Sequence, residues 1–179
     1  SGFCGENVRC VLGIDGILTI SGTGAMDDYA NVSDAPWYDY RDYILVVVVE
    51  SGVQHVGDLA FYNYDRLQAV SCAARSIGTN AFSSCDALLA VDLLDGVESI
   101  GSSAFAFCRS LLAAALPSTL QSVGGNAFYF CTELIAVNMP ASVQTVGSGA
   151  FSGCEPMEAV YITDLAAWCA IDFADLNAN

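Results

Sequence analysis

IGSSAFAFCRSL, residues 100–111, sets two phenylalanines, a cysteine and a glycine side by side. Alone, the stretch could be a reactive-cysteine loop, half of a metal site or plain core. Its relatives in the same chain decide the matter. VGGNAFYFCTEL (123–134) and VGSGAFSGCEPM (146–157) follow it, and VGDLAFYNYDRL (56–67) and IGTNAFSSCDAL (77–88) precede it. The central phenylalanines are Phe61, Phe82, Phe105, Phe128 and Phe151, at intervals of 21, 23, 23 and 23. A fixed period in the twenties marks a solenoid of stacked coils.

The cysteines occupy one repeat position: Cys85, Cys108, Cys131 and Cys154. Stacked coils lie about 4.8 Å apart with side chains in register. Disulfides want a Cβ separation of about 3.5–4.5 Å and convergent vectors. A ladder of buried thiols acting as small hydrophobes fits better. Tyr64 holds the column in the first copy, which a required bridge or metal ligand would not allow.

Each coil starts with a strand: LLAVDL (88–93), LLAAAL (111–116), LIAVNM (134–139) and MEAVYI (157–162). Alternation turns Val91, Leu93, Ala114, Leu116, Val137 and Met139 inward. Cys72 falls in the same inward column. A turn, with φ set by Pro117 or Pro140, leads to a short extended piece such as LQSVG (120–124). A helical turn, xxAFxxCxxL, follows, with Phe, Cys and Leu on one face. Gly101, Gly124 and Gly147 free the backbone at the corner before it. No coil buries its apolar side alone, so stability must come from stacking.

Composition narrows the function classes. Hydrophobic residues make up 54% of the 179 and charged residues 14%, which excludes a disordered chain. The five cations are all arginine, and the net charge is −15. Such a surface repels phosphate backbones and anionic lipid, so no nucleic-acid partner is expected. YILVVVV (43–49), the longest apolar run, is too short to span a bilayer, and no membrane insertion is expected. No signal peptide is visible, and the start at Ser1 reads as a trimmed boundary.

The period, with the pattern LxxVxLPxxLxxVGxxAFxxCxxL, resembles the BspA-type leucine-rich repeat of bacterial surface and secreted proteins. CGENVRCVLGIDGILTISGTGAM (4–26) and APWYDYRDYILVVVVESGVQHVG (35–57) are similar to the segment that leads into such arrays. VYITDLAAWCAIDF (160–173) is similar to the coil that closes them. The fold class expected is an α/β repeat solenoid, a right-handed leucine-rich-repeat-like array of ~23-residue coils with capped ends. An N-terminal cap at 1–43 would hold a hairpin around Asp15-Gly16 and a short helix over 34–42 with Pro36 and Trp37. Repeats would occupy 44–162. A C-terminal cap at 163–179 would carry a helix N-capped by Thr163 or Asp164, with Leu165, Trp168 and Cys169 inward.

Chemistry is sparse. The single histidine, His55, sits in the column of Ser99, Ser122 and Thr145 and should face solvent, without a nucleophile in register. No Cys-x-x-Cys occurs, so zinc has no sequence signature. Cys4 and Cys10 are the one pair placed for a disulfide, although Cys10 fits equally in the apolar face of the hairpin. Asp27, Asp28, Asp34, Asp39 and Asp42 could gather calcium, but their spacing matches no EF-hand loop. NVS at Asn31 is a formal glycosylation sequon, and Gly124-Gly125 is a coil corner and not a phosphate loop. We expect no catalytic residue, no cofactor and no metal, and hence no enzyme.

Surface remains. Two strand columns point outward: Val46, Ala69, Ala90, Ala113, Ala136 and Ala159, and Val48, Ser71, Asp92, Ala115, Asn138 and Tyr161. The second is the candidate protein-binding column. A sheet lined by alanine lacks the directed polar groups that sugars need. Tyr62, Phe107, Tyr129 and Phe130 form a second candidate, either as an exposed patch or as packing between coils. The resemblance implies a monomeric extracellular or cell-surface adhesion module that binds host extracellular-matrix or other cell-surface proteins. The alternative is a structural spacer within a larger surface protein.

Overall fold

The computed structural model describes residues 1–174. Strands β1 (Gly2–Gly5), β2 (Val8–Leu12) and β3 (Ile17–Gly22) pair antiparallel in succession. Gly16, at φ +80°, and the Asp15 carboxylate, which accepts from Ile17 N at 3.2 Å, shape the turn between β2 and β3. After the two-residue β4 (Gly24–Ala25), every coil contributes a longer and a shorter strand. The pairs are β5 (Val46–Val49) with β6 (Val53–Val56), β7 (Ala69–Cys72) with β8 (Ser76–Ile77), and β9 (Ala90–Leu93) with β10 (Ser99–Ile100). They continue as β11 (Ala113–Ala115) with β12 (Ser122–Val123), β13 (Ala136–Met139) with β14 (Thr145–Val146), and finally β15 (Ala159–Ile162). Helix α1 (Leu165–Ala170) and β16 (Asp172–Phe173) follow.

The longer strands form a nine-stranded sheet, β1-β2-β3-β5-β7-β9-β11-β13-β15, parallel from β3 onward. β3 therefore already lies in stacking register, with Leu18 opposite Val47 and Ile20 opposite Val49. The shorter strands form a seven-stranded sheet from β4 to β16. Between the sheets run buried columns. Val47, Val70, Val91, Ala114 and Val137 make one, and Val49, Cys72, Leu93, Leu116 and Met139 the next. Val56, Ile77, Ile100, Val123 and Val146 face them from the short sheet.

The third side of each coil departs from the helical turn expected there. The AFxxC segments are tandem turns, and among the described residues α1 is the one α-helix, so the α/β description gives way to a β-solenoid. In an α-helix each N–H bonds four residues back. Here alternate N–H groups point along the stack. Phe61, Phe82, Phe105 and Phe128 donate to Ala81, Ala104, Ala127 and Ala150 of the next coil at 2.7–2.8 Å. That requires left-handed residues on either side of each phenylalanine, such as Asn80 and Ser84, or Ser103 and Phe107. The last coil has glycine at both places, Gly149 and Gly153. Phe, Cys and Leu are buried as expected, because offsets 0, 3 and 6 share a face in both geometries.

The phenylalanine rings stack at 5.0–5.4 Å from Phe61 to Phe151, nearly parallel. Trp37, between two 3-10 segments (Val32–Asp34 and Tyr38–Tyr43), extends the column by lying 5.0 Å over Phe61. Its indole N–H donates to Ala60 O at 3.1 Å. At the far end the inward column is less covered: Val160 is 40% exposed, whereas Val137 is 1%. Helix α1 is N-capped by Asp164, which accepts from Ala167 N at 2.9 Å. Contrary to expectation, Leu165 (68% exposed) and Cys169 point outward; one turn and a half of helix cannot bury all three apolar residues, and Trp168 alone packs, 5.3 Å from Phe173.

The corner glycines also work differently from expectation. Gly101, Gly124 and Gly147 do not hold positive φ. A Cβ at Gly124 would lie 2.6 Å from the Gly101 carbonyl carbon and the Ser102 nitrogen, and Gly101 and Gly147 meet the preceding backbone as closely. The stack leaves no space for a side chain there.

Candidate binding surface

The outward columns lie where their alternation puts them. Val48 pairs with Ser71, Ser71 with Asp92, Asp92 with Ala115, Ala115 with Asn138, and Asn138 with Tyr161. The six side chains thus form one ladder on the solvent face of the nine-stranded sheet. Asp92, Ala115 and Tyr161 are exposed, Tyr161 to 64%, and the other three are half-buried. Asn138 is occupied: its side-chain amide accepts from Leu116 N and donates to Leu116 O, both at 2.9 Å. It replaces ladder bonds where β11 stops short.

Beside the alanine column runs a stripe that sequence reading missed. Leu89, Leu112 and Ile135 stack in successive coils, joined by backbone bonds from Leu112 N to Leu89 O and from Ile135 N to Leu112 O. They are 45–49% exposed. Each follows the buried leucine of its coil, so it reads as part of a continuous apolar run, and only the start of the strand turns it outward. With Ala90, Ala113 and Ala136 it makes an apolar strip across three coils.

On the turn side, Phe107, Tyr129 and Phe130 form a cluster with ring centroids 4.7–6.0 Å apart. Phe130 is 41% exposed, and Arg109 lies over Phe107 at 5.6 Å while pairing with Asp86 at 2.9 Å. These aromatics both pack between coils and leave an edge in solvent.

His55 departs from the expectation that it faces solvent with no nucleophile in register. Its Nδ1 lies 2.7 Å from Ser76 Oγ and its Nε2 3.2 Å from Asp28 Oδ1. Ser76 sits in register opposite His55 in the next coil, and Asp28 arrives from the segment before the first coil. The Ser76 hydroxyl thus has two partners, His55 Nδ1 and, at 3.3 Å, Gln54 O. Among the described residues, Asp28, His55 and Asp58 are also the one group of three or more potential ligands within 4.8 Å of one another. The five aspartates considered for calcium are not brought together. Asp34 instead closes a capping box with Asn31.

Cys85 and Cys108 of the ladder are protonated core. Burial raises Cys85 well above the ordinary thiol range and pushes Cys108 up to about 12. At the open end, Met139, Phe151, Met157, Val160, Trp168 and Phe173 help line an apolar cleft of about 210 Å³.

Residues 40–158 match the family model of the BspA type leucine rich repeat region, with six copies. The chain belongs to the BspA-type leucine-rich repeat family. A leucine-rich repeat protein from Eubacterium ventriosum superposes with a TM-score of 0.81 at 29% identity, over 90% of this chain and 43% of that one. A leucine rich cell surface protein from Faecalibacterium prausnitzii gives 0.69 at 23% identity, over 96% and 42%. A T. pallidum leucine rich repeat protein gives 0.56 at 24% identity, over 94% and 83%. The last two share the fold. This chain spans less than half the length of the first two. A comparison with curated proteins finds no match. In this BspA-type array, no helix among the described residues is long and apolar enough to cross a membrane.

Proposed function

We propose that this array is a non-catalytic, monomeric recognition module, secreted or held at the cell surface, that binds host or neighbour-cell proteins. The contact runs along Val48, Ser71, Asp92, Ala115, Asn138 and Tyr161 and the neighbouring strip of Leu89, Leu112 and Ile135. The observation that carries this is the chemistry of the face: an apolar strip across three coils beside a ladder whose amide, on Asn138, is already engaged. Such a face suits the apolar centre of a protein interface and offers little to a sugar. The description of the F. prausnitzii relative as a cell surface protein supports the location. In this reading residues 1–43 and 163–174 cap the repeats of 44–162, with Trp37 closing the ring stack; the rest of the cap expected over 163–179 lies outside the described residues.

The test is binding of the folded chain to arrayed extracellular-matrix proteins and glycans at physiological salt. A saturable protein ligand, weakened at least tenfold by Tyr161→Ala or Leu112→Glu, is expected. No binding to any array member by a monodisperse, folded sample would overturn the reading and leave a spacer domain.

A further inference from the structure

We propose that Asp28, His55 and Asp58 bind one divalent first-row transition ion, and that this ion ties the segment before the first coil to the repeat stack. The site is separate from the sheet face. Ligand bonds of about 2.0–2.2 Å place neighbouring donors roughly 3–3.5 Å apart around a zinc-sized ion. His55 Nε2 and Asp28 Oδ1 stand 3.2 Å apart, and Asp58 completes a group within 4.8 Å.

The proton inventory points the same way. Ser76 Oγ lies 2.7 Å from His55 Nδ1 and 3.3 Å from Gln54 O, so when its proton goes to Gln54 it accepts from Nδ1–H. Nε2 then carries a lone pair aimed at a carboxylate oxygen. In that tautomer two acceptors face each other, and a divalent ion between them satisfies both. The Ser76 bond to Nδ1 is the kind of outer contact that orients metal-bound histidines. Both carboxylates are held by backbone amides, Asp28 Oδ1 by Asp58 N at 2.9 Å and Asp58 Oδ1 by Thr79 N at 2.5 Å. One imidazole and two carboxylates suit zinc, cobalt or manganese, whereas calcium takes oxygen ligands only. Water would fill the remaining positions.

The experiment is calorimetric titration of the chelator-treated full chain with zinc, cobalt and calcium, alongside thermal unfolding. The expected result is one zinc per chain, a rise in Tm with zinc, and at least a tenfold loss of affinity in His55→Gln and in Asp28→Asn. Asp28→Asn, which keeps an acceptor for Asp58 N, should leave the metal-free Tm unchanged. Cobalt should give ligand-field bands without sulfur-to-metal charge transfer, which excludes the thiols as ligands. A sulfur-to-cobalt band, zinc binding that is indifferent to both substitutions, or no saturable binding at millimolar zinc overturns the proposal.

Discussion

The thiol of Cys108 donates to the backbone carbonyl of Phe82, 3.2 Å away in the preceding coil. Cys85, Cys131 and Cys154 repeat the bond to Phe61, Phe105 and Phe128 at 3.1–3.2 Å. In these four coils the column is therefore held by a residue that is both small and a donor. Replacing Cys108 by alanine should lower the unfolding free energy by about 1–2 kcal/mol, from a small cavity and a lost bond. Cys108→Val, which restores volume without a donor, should recover part of that. Urea denaturation of the three proteins measures both terms, and a valine variant as stable as the parent would show that the bond contributes nothing.

The same burial makes stability fall in alkali. Desolvation pushes Cys72 up to about 11 and Cys108 up to about 12, while an unfolded thiol titrates near 8.5. Between those values the native chain holds protons that the unfolded chain has lost. These thiols therefore stabilise fully below about pH 8.5, and their contribution drains away as pH rises through 9–12. Each can cost up to about 1.4 kcal/mol per pH unit in that window. Urea midpoints from pH 7.5 to 10.5 should decline, and the double variant Cys72→Ala/Cys108→Ala should decline less steeply.

Two glycines separate two kinds of backbone need. Gly149 holds φ +64°, a place that Asn80, Ser103 and Asn126 fill in earlier coils. Gly149→Ala should cost about 1 kcal/mol, the usual penalty of a left-handed alanine. Gly124 has an ordinary φ, but its Cβ would strike the Gly101 and Ser102 backbone at 2.6 Å. Backbone in a stack cannot yield as a side chain does, so Gly124→Ala should cost about 3 kcal/mol or more. Thermal unfolding ranks the pair, and equal Tm shifts would contradict the close approach.

The period and the inward columns were legible because stacking repeats the same burial in every coil, from Phe61 to Phe151 and from Val70 to Val137. The turn geometry was not, since Phe82, Cys85 and Leu88 share a face in a helix and in tandem turns alike. Nor was the partnering of His55: Ser76 lies one coil on, where a two-residue shortening blurs the register, and Asp28 precedes the repeats altogether. Leu89, Leu112 and Ile135 hid inside apolar runs. The ladder of Val48, Ser71, Asp92, Ala115, Asn138 and Tyr161 was readable from alternation, but the bonds of Asn138 to Leu116 depend on where β11 ends.

The N-terminal hairpin carries a redox expectation. Cys4 lies in the bulge between the pairs Phe3–Arg9 and Gly5–Val8, and its thiol touches that of Cys10. Donation from Cys4 lowers the Cys10 thiol below the ordinary range, so Cys10 is the sulfur that ionises first. A cavity of about 390 Å³, lined also by Gly2, Trp37 and Tyr40, reaches Cys10. With oxidised glutathione, the Cys10 thiolate should attack and release one glutathione thiol; Cys4 then displaces the second, closing the bridge. The loop is short, so the gain should be about 2 kcal/mol. Peptide mapping after alkylation should find Cys4 joined to Cys10 and the ladder thiols still reduced. A persistent mixed disulfide at Cys10, or a bridge that lowers Tm, would show that the two strands cannot meet the disulfide geometry.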